Sequence, residues 1–123
     1  MSADNIHFFI SMREQIKIYH WQTKLYSRHK ATDEVIKQLD ENIDKYVEVY
    51  MGKFGRARLT SRNNTIKLQN LSETSIVKFV RQCIQHLKTG LVKGLSPEDT
   101  DLVNIRDEIL SDLDQLLYLF TLQ

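Results

Sequence analysis

Cysteine, proline and glycine are scarce in this chain of 123 residues, which has one Cys, one Pro and four Gly. Cys83 has no second cysteine to pair with, so an internal disulfide is excluded and a reducing compartment is expected. No CxxC pair, Gly-rich phosphate loop or recognisably spaced Ser/His/Asp set occurs. No apolar run is long enough for a transmembrane helix, and a basic then apolar secretory leader is not seen at the start.

The residues that are present indicate a helical protein. Hydrophobic residues make up 41% and charged residues 27% of the chain, and apolar positions recur at three- and four-residue spacing in four segments. We therefore expect an all-α four-helix bundle that forms a single domain over residues 1–123. The expected helices run from Asp4 or Asn5 to about Lys24, from Ser27 to about Met51 before Gly52, from Ser72 onward, and from Pro97 to Thr121. Periodicity fails over residues 52–71, which predicts the long crossover of an up-down-down-up bundle.

Two histidines and three acids recur around the second predicted helix. His20 and His29 lie on either side of a short turn that would hold them near each other. At about 100° per residue, Asp33, Asp44 and Glu48 all fall within about 100° of His29 on one helical stripe. Imidazole and carboxylate in a mixed set accept Fe(II), Mn(II) or Zn(II). The stripe therefore predicts a metal site.

The length of the stripe means that one chain cannot complete such a site. Asp33 and Asp44 are eleven residues apart, about 16 Å along a helix, whereas metal–ligand distances are about 2 to 2.5 Å. An antiparallel second copy, related by a two-fold axis near Asp40, would place His29 and Asp33 opposite the partner's acids. The prediction is two equivalent sites in each homodimer.

These residues resemble the Dps proteins, the miniferritins of the ferritin-like superfamily, over about residues 6–56. The features that carry the resemblance are His20-Trp21, Tyr26, His29 with Asp33 four residues on, and Asp44 with Glu48 four residues on. It implies a ferritin-like bundle and a ferroxidase site shared across the dimer, where iron is bound by His20, His29, Asp33, Asp44 and Glu48. The implied activity is Fe(II) oxidation by O2 or H2O2, with Zn or Mn able to substitute. Iron storage and assembly beyond a dimer stay open, and the expected location is the cytoplasm, or the host cytoplasm or virion for a viral member.

Two aromatic residues flank the predicted site. Trp21 and Tyr26 are expected to pack in the core or at its boundary. An alternative is that they donate electrons or intercept radicals beside an oxidising metal.

Charge is distributed unevenly along the chain. Residues 52–94 carry nine Lys or Arg against Glu73 alone, and residues 95–123 carry seven acids against Arg106 alone. Either a basic helix packs beside an acidic one, or subunits attract each other, or Arg56, Arg58 and Arg62 contact an anion. Two further functions therefore compete with iron oxidation: a non-catalytic helical interaction module, and nucleic-acid binding by the basic segment 53–67.

Overall fold

A computed structural model describes residues 3–123 and has four α-helices. They are α1 (Asp4–Gln22), α2 (Tyr26–Phe54), α3 (Ser75–Lys88) and α4 (Thr100–Leu119). No strand occurs in this described part of the chain. The prediction of an all-α four-helix bundle with a long connection between the second and third helices is confirmed.

Contacts between helix ends define the topology. Arg13 on α1 bonds to Asp40 on α2, and His20 at the end of α1 bonds to Thr32 near the start of α2, so these helices are antiparallel. Lys53 at the end of α2 meets Asp101 at the start of α4, which makes α2 and α4 antiparallel as well. The pairs α1 with α3 and α3 with α4 are also antiparallel, because in each pair the last turns of one helix contact the first turns of the other. The bundle is therefore up-down-down-up.

The crossover between α2 and α3 runs as an extended strap along α1. Its contacts follow the direction of α1 residue by residue, which places the start of α3 at the far end of the bundle. The strongest anchor is reciprocal: Gln15 Nε2 donates to the Gln69 carbonyl at 2.7 Å, and the Gln69 amide donates to Gln15 Oε1 at 2.9 Å. The other pairs along the strap are Asp4 with Arg62, His7 with Thr65, and Gln22 with Asn70.

The end of α2 differs from the prediction. Gly52 was expected to end the helix, but α2 continues to Phe54 and its C-cap is Gly55 at φ 91°. The last turn has partners that compensate for the weak helix propensity of Gly52. Lys53 Nζ lies 3.0 Å from Asp99 and 2.8 Å from Asp101, and the Phe54 ring packs 4.9 Å from that of Tyr50.

The start of α4 also differs, because the helix begins at Thr100 and not at Pro97. The Ser-Pro-Glu-Asp segment forms a turn in which the Ser96 amide donates to Asp99 Oδ2 at 2.8 Å, so this carboxylate bonds backward instead of capping α4. The other predicted helix ends lie closer to the observed ones. α1 ends at Gln22, and Ser72 forms reciprocal hydrogen bonds with Ser75 of the kind seen in a capping box, one turn before the assigned start of α3.

All four helices contribute to one hydrophobic core, which includes Phe9, Leu39, Ile76, Leu87, Ile109 and Leu113. Cys83 is buried in it, and burial raises the pKa of its thiol to about 12, as expected for a small core residue. Within residues 3–123 no helix combines the length and the apolarity that a membrane span requires.

Candidate metal site

A three-residue corner between α1 and α2 brings the two predicted histidine ligands together. The Thr23 amide donates to the Tyr19 carbonyl at 2.8 Å to close α1, and the His29 amide donates to the Leu25 carbonyl at 3.0 Å to open α2. The rings of His20 and His29 then stack with centroids 4.0 Å apart and planes inclined by 15°. The predicted proximity of these two side chains is therefore present within a single chain.

Hydrogen bonds fix which nitrogen of each ring carries the proton. His29 Nδ1 lies 2.9 Å from the His20 carbonyl, which can only accept, so Nδ1 of His29 is protonated. His20 Nδ1 lies 2.9 Å from Thr32 Oγ1, whose own proton is donated to the Arg28 carbonyl at 2.7 Å. His20 Nδ1 must therefore also be a donor. In the neutral state both rings keep their Nε2 lone pair for another partner.

Burial favours the neutral form of His20. Only 5% of this residue is exposed. Burial, followed by electrostatic repulsion from His29, lowers the pKa of His20, while a hydrogen bond to the His29 backbone and the charge of Asp33 oppose the shift. A neutral imidazole oriented through its second nitrogen is the state that binds metals.

Thr32 was not among the predicted site residues. It is fully buried in α2 and its hydroxyl connects His20 to the backbone of the following helix. A Thr placed three residues after a candidate His ligand and on the core side of the helix is the sequence signal that could have identified it.

Asp33 is the one predicted oxygen ligand near the histidines. It is close enough to His20 to act on its pKa, and it forms an ion pair with Lys37 at 3.6 Å on the surface of α2. An exposed pair of this kind is weak. A metal ion can therefore replace Lys37 as the partner of Asp33 at little cost in free energy.

Asp44 and Glu48 lie on the same outer face but far from the corner. Both are exposed, and fifteen residues of helix separate Asp44 from His29, which is about 22 Å. Within residues 3–123, no group of three or more His, Cys, Asp or Glu side chains is arranged to hold a metal. One chain thus brings two of the five predicted ligands, His20 and His29, into contact, and the roles of Asp33, Asp44 and Glu48 stay predictions.

The packing expected of the two flanking aromatic residues is wrong. Trp21 is 65% exposed and Tyr26 is 73% exposed. Lys17 lies 5.2 Å from the Trp21 ring and Lys30 lies 5.8 Å from the Tyr26 ring, whose centroid is also 6.4 Å from that of His29. The corner therefore presents two large aromatic surfaces to solvent beside the histidine pair.

Arg28 holds the corner in place from behind. Its guanidinium donates to Tyr19 Oη at 3.1 Å, to the Glu73 carbonyl at 2.6 Å and to the Phe120 carbonyl at 3.2 Å. These bonds tie the start of α2 to α1, to the strap and to the end of α4. Because Arg28 precedes His29 in the chain, they also limit the movement of the candidate site.

The three predicted anion contacts differ in whether they are already paired. Arg62 pairs with Asp4, whereas Arg56 and Arg58 are exposed and make no ion pair with the part of the chain that the structure describes. Arg62 is therefore already engaged by an acid of its own chain.

The ring geometry limits how the histidines can bind metal. An imidazole binds an ion in the plane of its ring, and two stacked, nearly parallel rings with centroids 4.0 Å apart cannot share one ion in this way. Two ions, one for each ring, are compatible with it, because ions in two-metal sites lie about 3.5–4 Å apart. The corner therefore suits a pair of ions, or one ion after a ring rotates.

Comparisons with known proteins identify a family. The model of a family of unknown function, DUF5856, matches residues 20–120, a range that includes all five predicted ligands. The chain is also similar to an uncharacterized 14.6 kDa protein from the mobD-ri intergenic region of Enterobacteria phage T4, with 30% identity over 104 residues that cover 85% of this chain and 75% of the phage protein. No solved structure matches. The chain belongs to the DUF5856 family.

Proposed function

We propose that this protein binds iron at the α1–α2 corner and oxidises Fe(II), with a second copy of the chain completing each site. The observation that carries the proposal is the histidine pair, in which both Nδ1–H groups are used internally and both Nε2 atoms keep their lone pairs. This arrangement is typical of metal-binding histidines. The proposed location is the cytoplasm, or the host cytoplasm or virion for a viral member.

The residues fit iron if the second copy supplies oxygen donors. His20, His29 and Asp33 would hold the ions from one chain, and Asp44 and Glu48 of the other would add two carboxylates. Bound iron would supply electrons: two Fe(II) ions reduce one hydrogen peroxide, with two protons, to two waters. Mn(II) or Zn(II) would bind the same donors.

Charge along α2 supports an antiparallel second copy. The first half of its outer face has Lys30 and Lys37 together with Asp33, whereas Glu41, Asp44 and Glu48 make the second half acidic. Antiparallel pairing sets the acidic half of each copy against the half that carries the two lysines. It would also cover Trp21 and Tyr26, residue types that often anchor interfaces.

The test combines Asp44→Ala with Glu48→Ala and measures iron binding under anaerobic conditions, oxidation after peroxide is added, and mass in solution. We expect the parent to bind iron as a dimer and to oxidise it, and the double variant to lose most of this activity. Glu98→Ala with Asp107→Ala removes the same charge from exposed positions before and on α4 and should behave like the parent.

An Asp44/Glu48 double variant that binds and oxidises iron like the parent would contradict the proposal. A parent protein without bound metal would instead favour the non-catalytic interaction module, whose contact surface would be the same exposed aromatic corner.

A further inference from the structure

The outer surface of α3 consists of side chains that donate hydrogen bonds. The exposed residues of this helix are Lys78, Arg81, Gln82, Gln85 and Lys88. With Lys78 at zero, the others fall between about −80° and about +40° around the helix, so all of them point to the same side. None of these side chains forms a hydrogen bond or an ion pair within residues 3–123. The surface is therefore a row of free donors that is about 15 Å long from Lys78 to Lys88.

The crossover adds a cation beside this row. On α1, Gln15 bonds to the crossover, and Phe8 packs against His86 of α3 with ring centroids 4.2 Å apart. These two α1 residues differ by only about 20° around the helix, so the crossover and α3 cover adjoining sides of α1. Lys67 is exposed on the crossover, two residues before the one that Gln15 holds, and it has no ion pair in the described part of the chain.

Acids near these cations are few. Residues 55–94 contain one acid, Glu73, and its carboxylate is already hydrogen-bonded at the end of the bundle. On α4, Asp107 and Asp114 lie about 80° to 100° around the helix from Arg106, which bonds to α3, so both acids are on the α3 side. Asp107 is paired with Arg106 at 2.9 Å. Asp114 is exposed and borders the row of donors.

We infer that the face formed by α3 and the crossover binds the phosphate backbone of a nucleic-acid duplex. Lys, Arg and Gln side chains commonly donate hydrogen bonds to phosphate oxygens. A duplex carries one phosphate charge per about 1.7 Å of its axis, which is dense enough to serve every cation of this row. The four cations are Lys67, Lys78, Arg81 and Lys88. Contacts of this kind read no bases, so the binding does not depend on sequence.

A duplex fits this face better than a single strand or a membrane does. Single strands gain affinity when their bases stack on exposed aromatic rings, but Phe79 of α3 is partly buried against the core. A lipid surface is bound through apolar side chains that insert beside the cations, and the exposed positions of α3 include no apolar residue. The exposed Leu68 beside Lys67 adds little apolar area.

The distribution of charge in the whole molecule orients the duplex on this face. The net charge is +1, although residues 52–94 carry nine Lys or Arg against one acid. The remaining residues together therefore carry an excess of acids, which repels a phosphate backbone from the other surfaces. The inference goes beyond the proposed iron site, because the face contains none of the predicted ligands and requires no metal.

The experiment measures the binding of metal-free protein to a short duplex DNA of mixed sequence, labelled with a fluorophore, by fluorescence anisotropy in the presence of EDTA. Four phosphate contacts predict a slope of about −3.6 when the logarithm of the affinity is plotted against that of the salt concentration. Raising salt from about 0.05 M to about 0.2 M should therefore weaken binding by about 100-fold.

Lys78→Gln with Arg81→Gln and Lys88→Gln removes three of the four contacts. The slope should change to about −0.9, and the affinity at about 0.1 M salt should fall by about tenfold or more. Circular dichroism checks that the variant folds. If it does not fold, Arg81→Gln alone takes its place and should reduce the steepness of the slope by about 0.9.

The matched control is Lys24→Gln with Lys37→Gln and Lys45→Gln. It gives the same net charge by changing exposed positions outside the face, and it should keep the slope of the parent. Asp114→Asn removes the acid that borders the row and should strengthen binding, because less repulsion then acts on the nearest phosphates.

Four results would overturn the inference. They are a parent protein that does not bind the duplex at about 0.05 M salt, an α3 variant with the slope of the parent, equal losses of affinity in the α3 and control variants, and tighter binding to a single strand or to anionic phospholipid vesicles than to the duplex. Because metal is absent throughout, none of these results bears on the iron site.

Discussion

The hydroxyl of Thr32 decides how His20 is presented. Thr32→Val keeps the shape of the side chain but leaves the buried Nδ1–H of His20 without its acceptor. A buried donor without a partner costs about 1–3 kcal/mol, and the loss of a second-layer contact reduces metal affinity by about 10- to 100-fold. Urea unfolding and metal titration measure the two effects.

Thr89→Val provides the control for this prediction. Thr89 also donates to a carbonyl four residues earlier, that of Gln85 at 2.9 Å, but it is exposed and remote from the corner. Its replacement should change stability by less than about 0.5 kcal/mol. Equal losses for the two variants would mean that Thr32 acts only as a helical residue and not through His20.

Individual residues differ in how far the sequence alone predicts their surroundings. The closeness of His20 and His29 follows from the short corner, which local sequence specifies. The Thr32 contact depends on how α1 and α2 rotate against each other, and no local pattern encodes that rotation. Trp21 and Tyr26 were predicted to be packed because aromatic residues bury much area, but their side of the helix corner faces away from the core.

At the scale of the element, two glycines near the end of α2 should respond to alanine in opposite ways. Gly52 lies inside the helix with open space around it, so Gly52→Ala should stabilise the protein by about 0.5–1 kcal/mol. Gly55 has φ 91°, where a Cβ is strained, so Gly55→Ala should destabilise by about 1–2 kcal/mol. Thermal unfolding of both variants checks the sign of each change.

The pair of glycine variants also tests where α2 ends. If the helix stopped at Gly52, that position would be the sensitive one and Gly55 would tolerate alanine. Sequence patterns favoured that reading because glycine is common just after a helix. The last turn is retained because Lys53 is held by two acids at the start of α4, a tertiary contact that helix propensity does not include.

The start of α4 shows the same limit of prediction from sequence, because a tertiary contact decides where the helix begins. The Ser96-Pro97 segment contains the residues of a helix start, and the helix does begin nearby. The side chain of Asp99 bonds back to Ser96 and to Lys53, so the segment forms a turn first. The existence, type and order of the four helices were predicted from periodicity, although the apolar residues of α1 are spread around that helix and include the exposed Ile10 and Trp21.

At the scale of the whole molecule, Glu73 joins three elements at the end of the bundle where α1, α2 and α3 meet. Burial tends to raise the pKa of Glu73, but donors from Tyr19 and Thr23 and the charge of Arg28 outweigh it and lower the pKa below the usual value of a glutamate. The ionised form is thus stabilised by folding. This contribution is present above the unfolded pKa and is lost as pH falls through the folded pKa.

Glu73→Gln should therefore reduce stability by about 1 kcal/mol at neutral pH, a value kept small because the carboxylate is partly exposed. The difference from the parent should shrink as pH falls below about 4.5. Urea unfolding at several pH values measures it. Glu41→Gln, on an exposed part of α2, is the control; a Glu73 variant whose deficit does not change with pH would show that its charge contributes nothing to folding.

The strap along α1 has a consequence for how the molecule can meet other proteins. With the crossover on one side and the bundle on the other, four of the nineteen α1 residues are exposed, Asp4, Ile10, Trp21 and Gln22, and most of the rest are buried or half-buried. One flank of the molecule is thus largely covered by its own chain. A lasting neighbour then finds most of its contact surface on α2, α3 and α4, and on the exposed end of α1 at Trp21.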